Sequence, residues 1–211
     1  MSARDDVMSR IKSALRDAPP TPDIPRNYRL ATNKTAAQRC EQLVGRLLDY
    51  KANVYVVPTT QAPAKLAQLL ADAESIVVPH GLEEHWLSGL RDDAGSLRIE
   101  VDSPEHRLSV SALDSVDAVV TTAAVAVSET GTIILDGSSS QGRRIISLVP
   151  DRHICLLAAK DIVEVLPEAI ARLNATAPQT WISGPSATSD IELERVEGVH
   201  GPRTLDVLIL T

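Results

Sequence analysis

Apolar residues recur along this chain with two different periods. Cys40, Leu43, Val44, Leu47 and Leu48 fall three and four apart, the spacing of one helix face. The runs NVYVVP (53–58), SIVVPH (75–80), LRIEV (97–101), VDAVVTT (116–122), HICLLA (153–158), TWISG (180–184) and LDVLIL (205–210) are short and rich in β-branched residues, the mark of strands. Between them the pattern predicts helices over 63–71, through LEEHWLSGL (82–90), and over 161–173. AVAVS and GTIILD have only Glu129 and Thr130 between them, which gives a hairpin or two offset strands. Strands that alternate with amphipathic helices predict an α/β domain built on a mostly parallel sheet flanked by helices.

The chain begins differently. Val7, Ile11, Ala14 and Leu15 lie at helical spacing, and Pro19, Pro20, Pro22 and Pro25 then interrupt the helix with an extended linker reaching about Asn33. We therefore divide the sequence into an N-terminal helix with its proline-rich linker (1–33) and an α/β domain (34–211). The helix either packs on a partner or a second copy of the chain, or folds back on its own domain.

Composition narrows the function. Only 2% of the residues are aromatic and none is Phe, so the core consists of Leu, Ile, Val and Ala, and the stacking faces needed for single-stranded nucleic acid are scarce. A net charge of −7 argues against general attraction to nucleic acid or to an anionic membrane. Any anion site must be local. Cys40 and Cys155 are far apart, are read as reduced thiols of a cytoplasmic protein, and cannot supply the four thiolates of an iron–sulfur cluster. No apolar run approaches the roughly 18 to 20 residues that span a bilayer, and the N-terminus lacks the apolar core of a signal peptide.

Ligands of parallel α/β sheets bind at the carboxyl ends of the strands. The residues that follow each run there are Pro58-Thr59-Thr60, Pro79-His80-Gly81, Thr121-Thr122, Asp136-Gly137-Ser138 and Gly184-Pro185-Ser186. In SETGT, Glu129 would project from a turn steadied by Thr130, Gly131 and Thr132, a position suited to a nucleophile or a general base; taken alone, the stretch is explained better by a hairpin turn whose Glu faces water. In DGSSSQGRR, Ser138, Ser139 and Ser140 offer hydroxyls and N–H groups, and Arg143 and Arg144 supply charge for a phosphate or carboxylate. Ser189 and Glu192 fit a capping box, so a short helix is expected there, with Gly184, Ser186 and Asp190 near its start. Metal binding is not expected: the histidines of HGLEEH, His80 and His85, point about 140° apart on a helix. Neither GxxxxGK[ST] nor GxSxG occurs.

AVAVSETGTIIL, GRRIISLVPDRHICLL and GPSATSDIELERVEGVHGPRTLDVLIL, in this order and from about Val54 to the end, resemble the LUD domain of the lactate utilization protein C family. The resemblance implies a Rossmann-like fold related to the ribose-5-phosphate isomerase, glucosamine-6-phosphate deaminase and CoA-transferase group. It also implies an accessory, non-iron–sulfur role in oxidising L-lactate to pyruvate beside iron–sulfur partner proteins, with no cofactor bound by this chain itself. We expect a small anionic ligand where Glu129–Thr132, Ser138–Arg144 and Gly184–Asp190 meet. Ser128-Glu129-Thr130-Gly131 is also similar to the Ser-Glu-Asn-Gly turn of CoA transferases, with Thr for Asn, which implies acyl transfer through Glu129 as the alternative.

Overall fold

A computed structural model of the chain describes residues 2–17, 22–30, 33–91, 97–188, 196–197 and 200–211. The first part holds α1 (Ala3–Ala14), α2 (Ala36–Asp49), β1 (Asn53–Val57), α3 (Ala62–Leu69), β2 (Ser75–Pro79), α4 (Ser88–Arg91), β3 (Arg98–Asp102), α5 (Val110–Asp114) and β4 (Ala118–Thr122). After these come β5 (Val125–Val127), β6 (Thr132–Leu135), β7 (Arg152–Ala158), β8 (Ile162–Val163), α6 (Leu166–Ile170), β9 (Thr180–Ile182), β10 (Ala187–Thr188), β11 (Val196–Glu197) and β12 (Thr204–Leu210).

Strand alternation decides what each face of the main sheet covers. Six strands lie in the order β1–β12–β7–β4–β2–β3, and each neighbouring pair is parallel. Ile76, Val78, Ala118, Val120, Ile154 and Leu156 face one side and pack on Leu66 of α3. Their in-between neighbours face the other: Val77 and Val119 meet Leu113 and Ile146, while Cys155, Leu157, Val207 and Ile209 meet Leu43 and Leu47 of α2. This is the Rossmann-like α/β sheet that the pattern predicts.

The pattern does not predict a second sheet. β5 and β6 form the expected antiparallel hairpin, but they join β8 and β9 in the order β8–β5–β6–β9, apart from the parallel sheet. One face of this small sheet, through Ala126 and Ile133, closes the core over Cys155 and Leu157. Its other face, through Val125, Val127, Ile134 and Val163, is covered by Ala169 of α6.

Two predicted helices are corrected. Residues 161–173 form a 3-10 turn (Ala159–Asp161), then β8, then the short α6. Ile162 and Val163 pair with Ala126 and Val127 instead of winding, and Pro167, which lacks an N–H, is accommodated in the first turn of α6. LEEHWLSGL is a 3-10 turn (Glu84–Leu87) leading into α4. The helix expected from Ser189 lies outside the described residues; the flanking β10 and β11 pair antiparallel.

α1 begins with a capping box between Ser2 and Asp5 and has no buried residue; Val7, Met8, Ile11 and Leu15 are all exposed. It does not fold its apolar side onto the domain. No helix among the described residues is long and apolar enough to cross a membrane.

Candidate functional site

The strand order reverses at β2. The chain moves outward from β2 to β3, then returns to the other side of β2 as β4, and such a switch opens a crevice at the carboxyl ends. The loop after β6 lies across that crevice. Gly81 N–H donates to Ser139 O at 3.0 Å, Thr122 N–H to Ser140 O at 3.1 Å, and the Thr122 and Ser140 hydroxyls are 2.7 Å apart. Gly81 is required there, because a Cβ on it would stand 2.4 Å from Ser139 Cβ.

The two adjacent arginines of this loop have different surroundings. Arg143 Nε donates to Asp102 Oδ2 at 2.8 Å, and its NH2 group donates to Asp102 Oδ1 and to Leu108 O. Asp102 ends β3 and is only 2% exposed. Burial raises its carboxyl pKa, but hydrogen bonds from Arg143 and Leu108, with the charges of Arg143 and Arg107, outweigh burial and hold it below its ordinary 3.8. Arg143 is thus a structural counter-ion. The Arg144 guanidinium is exposed and has no hydrogen bond or ion pair among the described residues.

Two clefts meet at Arg144. The first, about 630 Å³, lies at the strand ends and is lined by His80, Arg107, Ser138, Ser139 and both arginines. The second, about 490 Å³, lies near the starts of β7 and β12, between the Arg144–Leu148 segment, β9 and the turn His200–Pro202. Gly184 and Ser186 line this second cleft. They follow β9, which belongs to the small sheet, so they are not at the carboxyl ends of the parallel sheet as expected. Ser186 is fixed by its N–H to Pro202 O at 2.8 Å and by His200 N–H to its Oγ at 2.9 Å. Asp190 lies outside the described residues.

The floor of the second cleft carries a group that the candidate residues did not include. His153, on β7, is 1% exposed, and its Nε2 lies 2.8 Å from Thr121 Oγ1 on β4. Burial pushes the imidazole down to about 4, so it is neutral at physiological pH. The neighbouring Cys155 thiol is pushed up to about 12 by burial, which leaves it unreactive.

Glu129 lines neither cleft. Its turn precedes β6 while Ser138 follows it, so the two stand at opposite ends of that strand. The Glu129 carboxylate pairs with Arg29 of the linker, and its backbone oxygen accepts from Arg46 Nε at 3.2 Å. Thr130 and Thr132 are joined through their hydroxyls at 2.8 Å, and Thr132 Oγ1 lies 2.9 Å from Ser183 Oγ, beside Gly184. Among the described residues the three expected loops do not line one cleft: Ser138 and Ser139 line the first, Gly184 and Ser186 the second, Arg144 lines both, and the Glu129–Thr132 turn adjoins the Gly184 loop through Thr132 and Ser183 but lines neither. Gly131 has φ +67°, and a Cβ there would come 2.7 Å from Arg46 Cβ. Gly131→Ala is expected to cost about 2 kcal/mol of stability, read as a lower urea midpoint with unchanged slope.

Among the described residues no group of three or more His, Cys, Asp or Glu side chains is placed to hold a metal ion.

A six-stranded parallel sheet, with a small mixed sheet closing one face and a serine-rich loop over the strand ends, defines an α/β protein of Rossmann-like class. The chain belongs to the LUD domain family, which matches residues 40–210. It is 40% identical over 212 residues to Lactate utilization protein C of Deinococcus radiodurans, covering 99% of this chain and 95% of the relative. It is 29% identical over 132 residues to Lactate utilization protein C of Bacillus licheniformis, covering 57% and 55% of the two chains. The crystal structure of a DUF162 family protein from Deinococcus radiodurans superposes with a TM-score of 0.69 at 36% identity, covering 85% of this chain and all of that one.

Proposed function

We propose that this chain serves lactate utilization as an accessory, non-iron–sulfur subunit and that it binds a small anionic ligand. The observation that carries the first part is 40% identity to a Lactate utilization protein C along nearly the whole of both chains. With two cysteines, one buried and one half-buried, the chain has no thiolate set for a cluster, so electrons from L-lactate would pass through iron–sulfur partner proteins.

The anion reading rests on Arg144. In a chain of net charge −7, this guanidinium stands unpaired among the described residues between two clefts, with the Ser138 and Ser139 hydroxyls on one side and Ser186 on the other. Acyl transfer through Glu129 gains no support, because that carboxylate is tied to Arg29 and lines neither cleft.

Deleting the gene is expected to abolish growth on L-lactate as sole carbon source while sparing growth on pyruvate. Normal growth on L-lactate would refute the assignment.

A further inference from the structure

The cleft above His153 has an asymmetric lining. Its lining holds one guanidinium, Arg144, and no carboxylate among the described residues. Leu148, Trp181 and Leu205 give it apolar walls. A polar ring on the floor of such a cleft needs a hydrogen-bond partner for each nitrogen. Thr121 satisfies Nε2 of His153, but Nδ1 has no partner among the described residues.

We propose that this cleft, resting on the anion reading above, holds a short 2-hydroxy or 2-oxo carboxylic acid, with its carboxylate on Arg144 and its 2-oxygen on His153 Nδ1. The apolar walls take the acid's side chain, and about 490 Å³ leaves room for chains longer than three carbons. The Thr121 hydroxyl makes the site indifferent to oxidation state. When it accepts from Nε2–H, Nδ1 is an acceptor and takes the O–H of a 2-hydroxy acid. When it donates to Nε2, Nδ1 carries the proton and donates to the carbonyl of a 2-oxo acid. A neutral imidazole serves both forms, and the carboxylate contact is the same in each. His153 is thereby a binding residue that recognises the oxygen beside the carboxylate.

The test is nitrogen-15 NMR of the full chain labelled at histidine, titrated with L-lactate, pyruvate, propionate and inorganic phosphate. L-Lactate and pyruvate should shift the His153 ring nitrogens. Propionate, which lacks the 2-oxygen, should bind about tenfold more weakly, and Arg144→Ala should weaken L-lactate by about tenfold or more. Acids that bind while the His153 signals stay still, or propionate that binds as well as L-lactate, would overturn this assignment and leave the anion reading standing. The same follows if phosphate binds in an Arg144-dependent manner and the acids do not. If none of the four binds, both readings fall.

Discussion

Arg143→Ala is expected to lower stability by about 3 kcal/mol, whereas Arg144→Ala, one residue on, should leave stability unchanged and weaken anion binding by about tenfold or more. The difference comes from what each side chain leaves behind. Asp102 is 2% exposed with Arg143 in place, and among the described residues the Leu108 N–H is the one other close donor its carboxylate would keep. A stranded buried charge costs more than the pair contributed, because its desolvation is no longer offset. Arg144 leaves no partner behind among the described residues. For a chain of 211 residues the loss at Arg143 corresponds to a melting temperature lower by about 6–12 °C. Asp102→Asn should cost less, since Arg143 is one-third exposed and its charge can turn to water. Equal melting temperatures for the two arginine variants would contradict the division of roles.

The second large effect is acid lability arising from His153. Its pKa falls from an ordinary 6.5 to about 4 on folding, because burial disfavours the charged ring. Between those values the unfolded chain binds a proton that the folded chain does not, so stability rises with pH across that window. Acidification from pH 6.5 to 4 should therefore remove on the order of 3 kcal/mol through this one group. Asp102 acts in the same direction lower down. Its depressed carboxyl contributes stability above its ordinary 3.8, and that contribution is lost as the pH falls through the folded value. Urea unfolding of wild type and His153→Gln at several pH values checks this. The variant should lose the slope between pH 6.5 and 4 whatever its absolute stability, and an unchanged slope would place the acid sensitivity elsewhere.

Periodicity located the parallel sheet because its strands are bounded by turn residues and its helices expose one polar side. α2 and the runs of β1, β2, β3, β4, β7 and β12 are readable for that reason. The small sheet was hidden because Val125, Ala126 and Val127 are buried on both faces, so no alternation shows which neighbours they have. Residues 161–173 misled for a related reason: Ile162 and Val163 are spaced well enough for a helix, and only the distant Ala126 and Val127 draw them into a strand.

At the site, the composition of DGSSSQGRR points to an anion loop, and the loop does cross the strand ends. Composition could not tell Arg143 from Arg144. That distinction is made by Asp102, 41 residues earlier in the chain, through hydrogen bonds fixed by the fold. His153 sat in plain view in HICLLA, but its strand position shows only that it is buried. The cleft above it is formed by β9, the turn at His200 and the segment after Arg144, which come together only when both sheets are assembled. The signal available in advance was a histidine on the same strand face as Cys155, amid aliphatic residues.

β12 follows every other described strand in the chain yet lies between β1 and β7, and among the described residues it is the only strand bonded to β1. As the polypeptide leaves the ribosome, the stretch from Asn53 to Val57 must wait for a segment about 150 residues downstream before it gains a lateral neighbour. Until then its N–H and C=O groups have no partner strand. Loss of residues 204–211 would do more than shorten the chain: it would cut β1 off from the sheet and leave β7 with a bare edge open to pairing with another molecule.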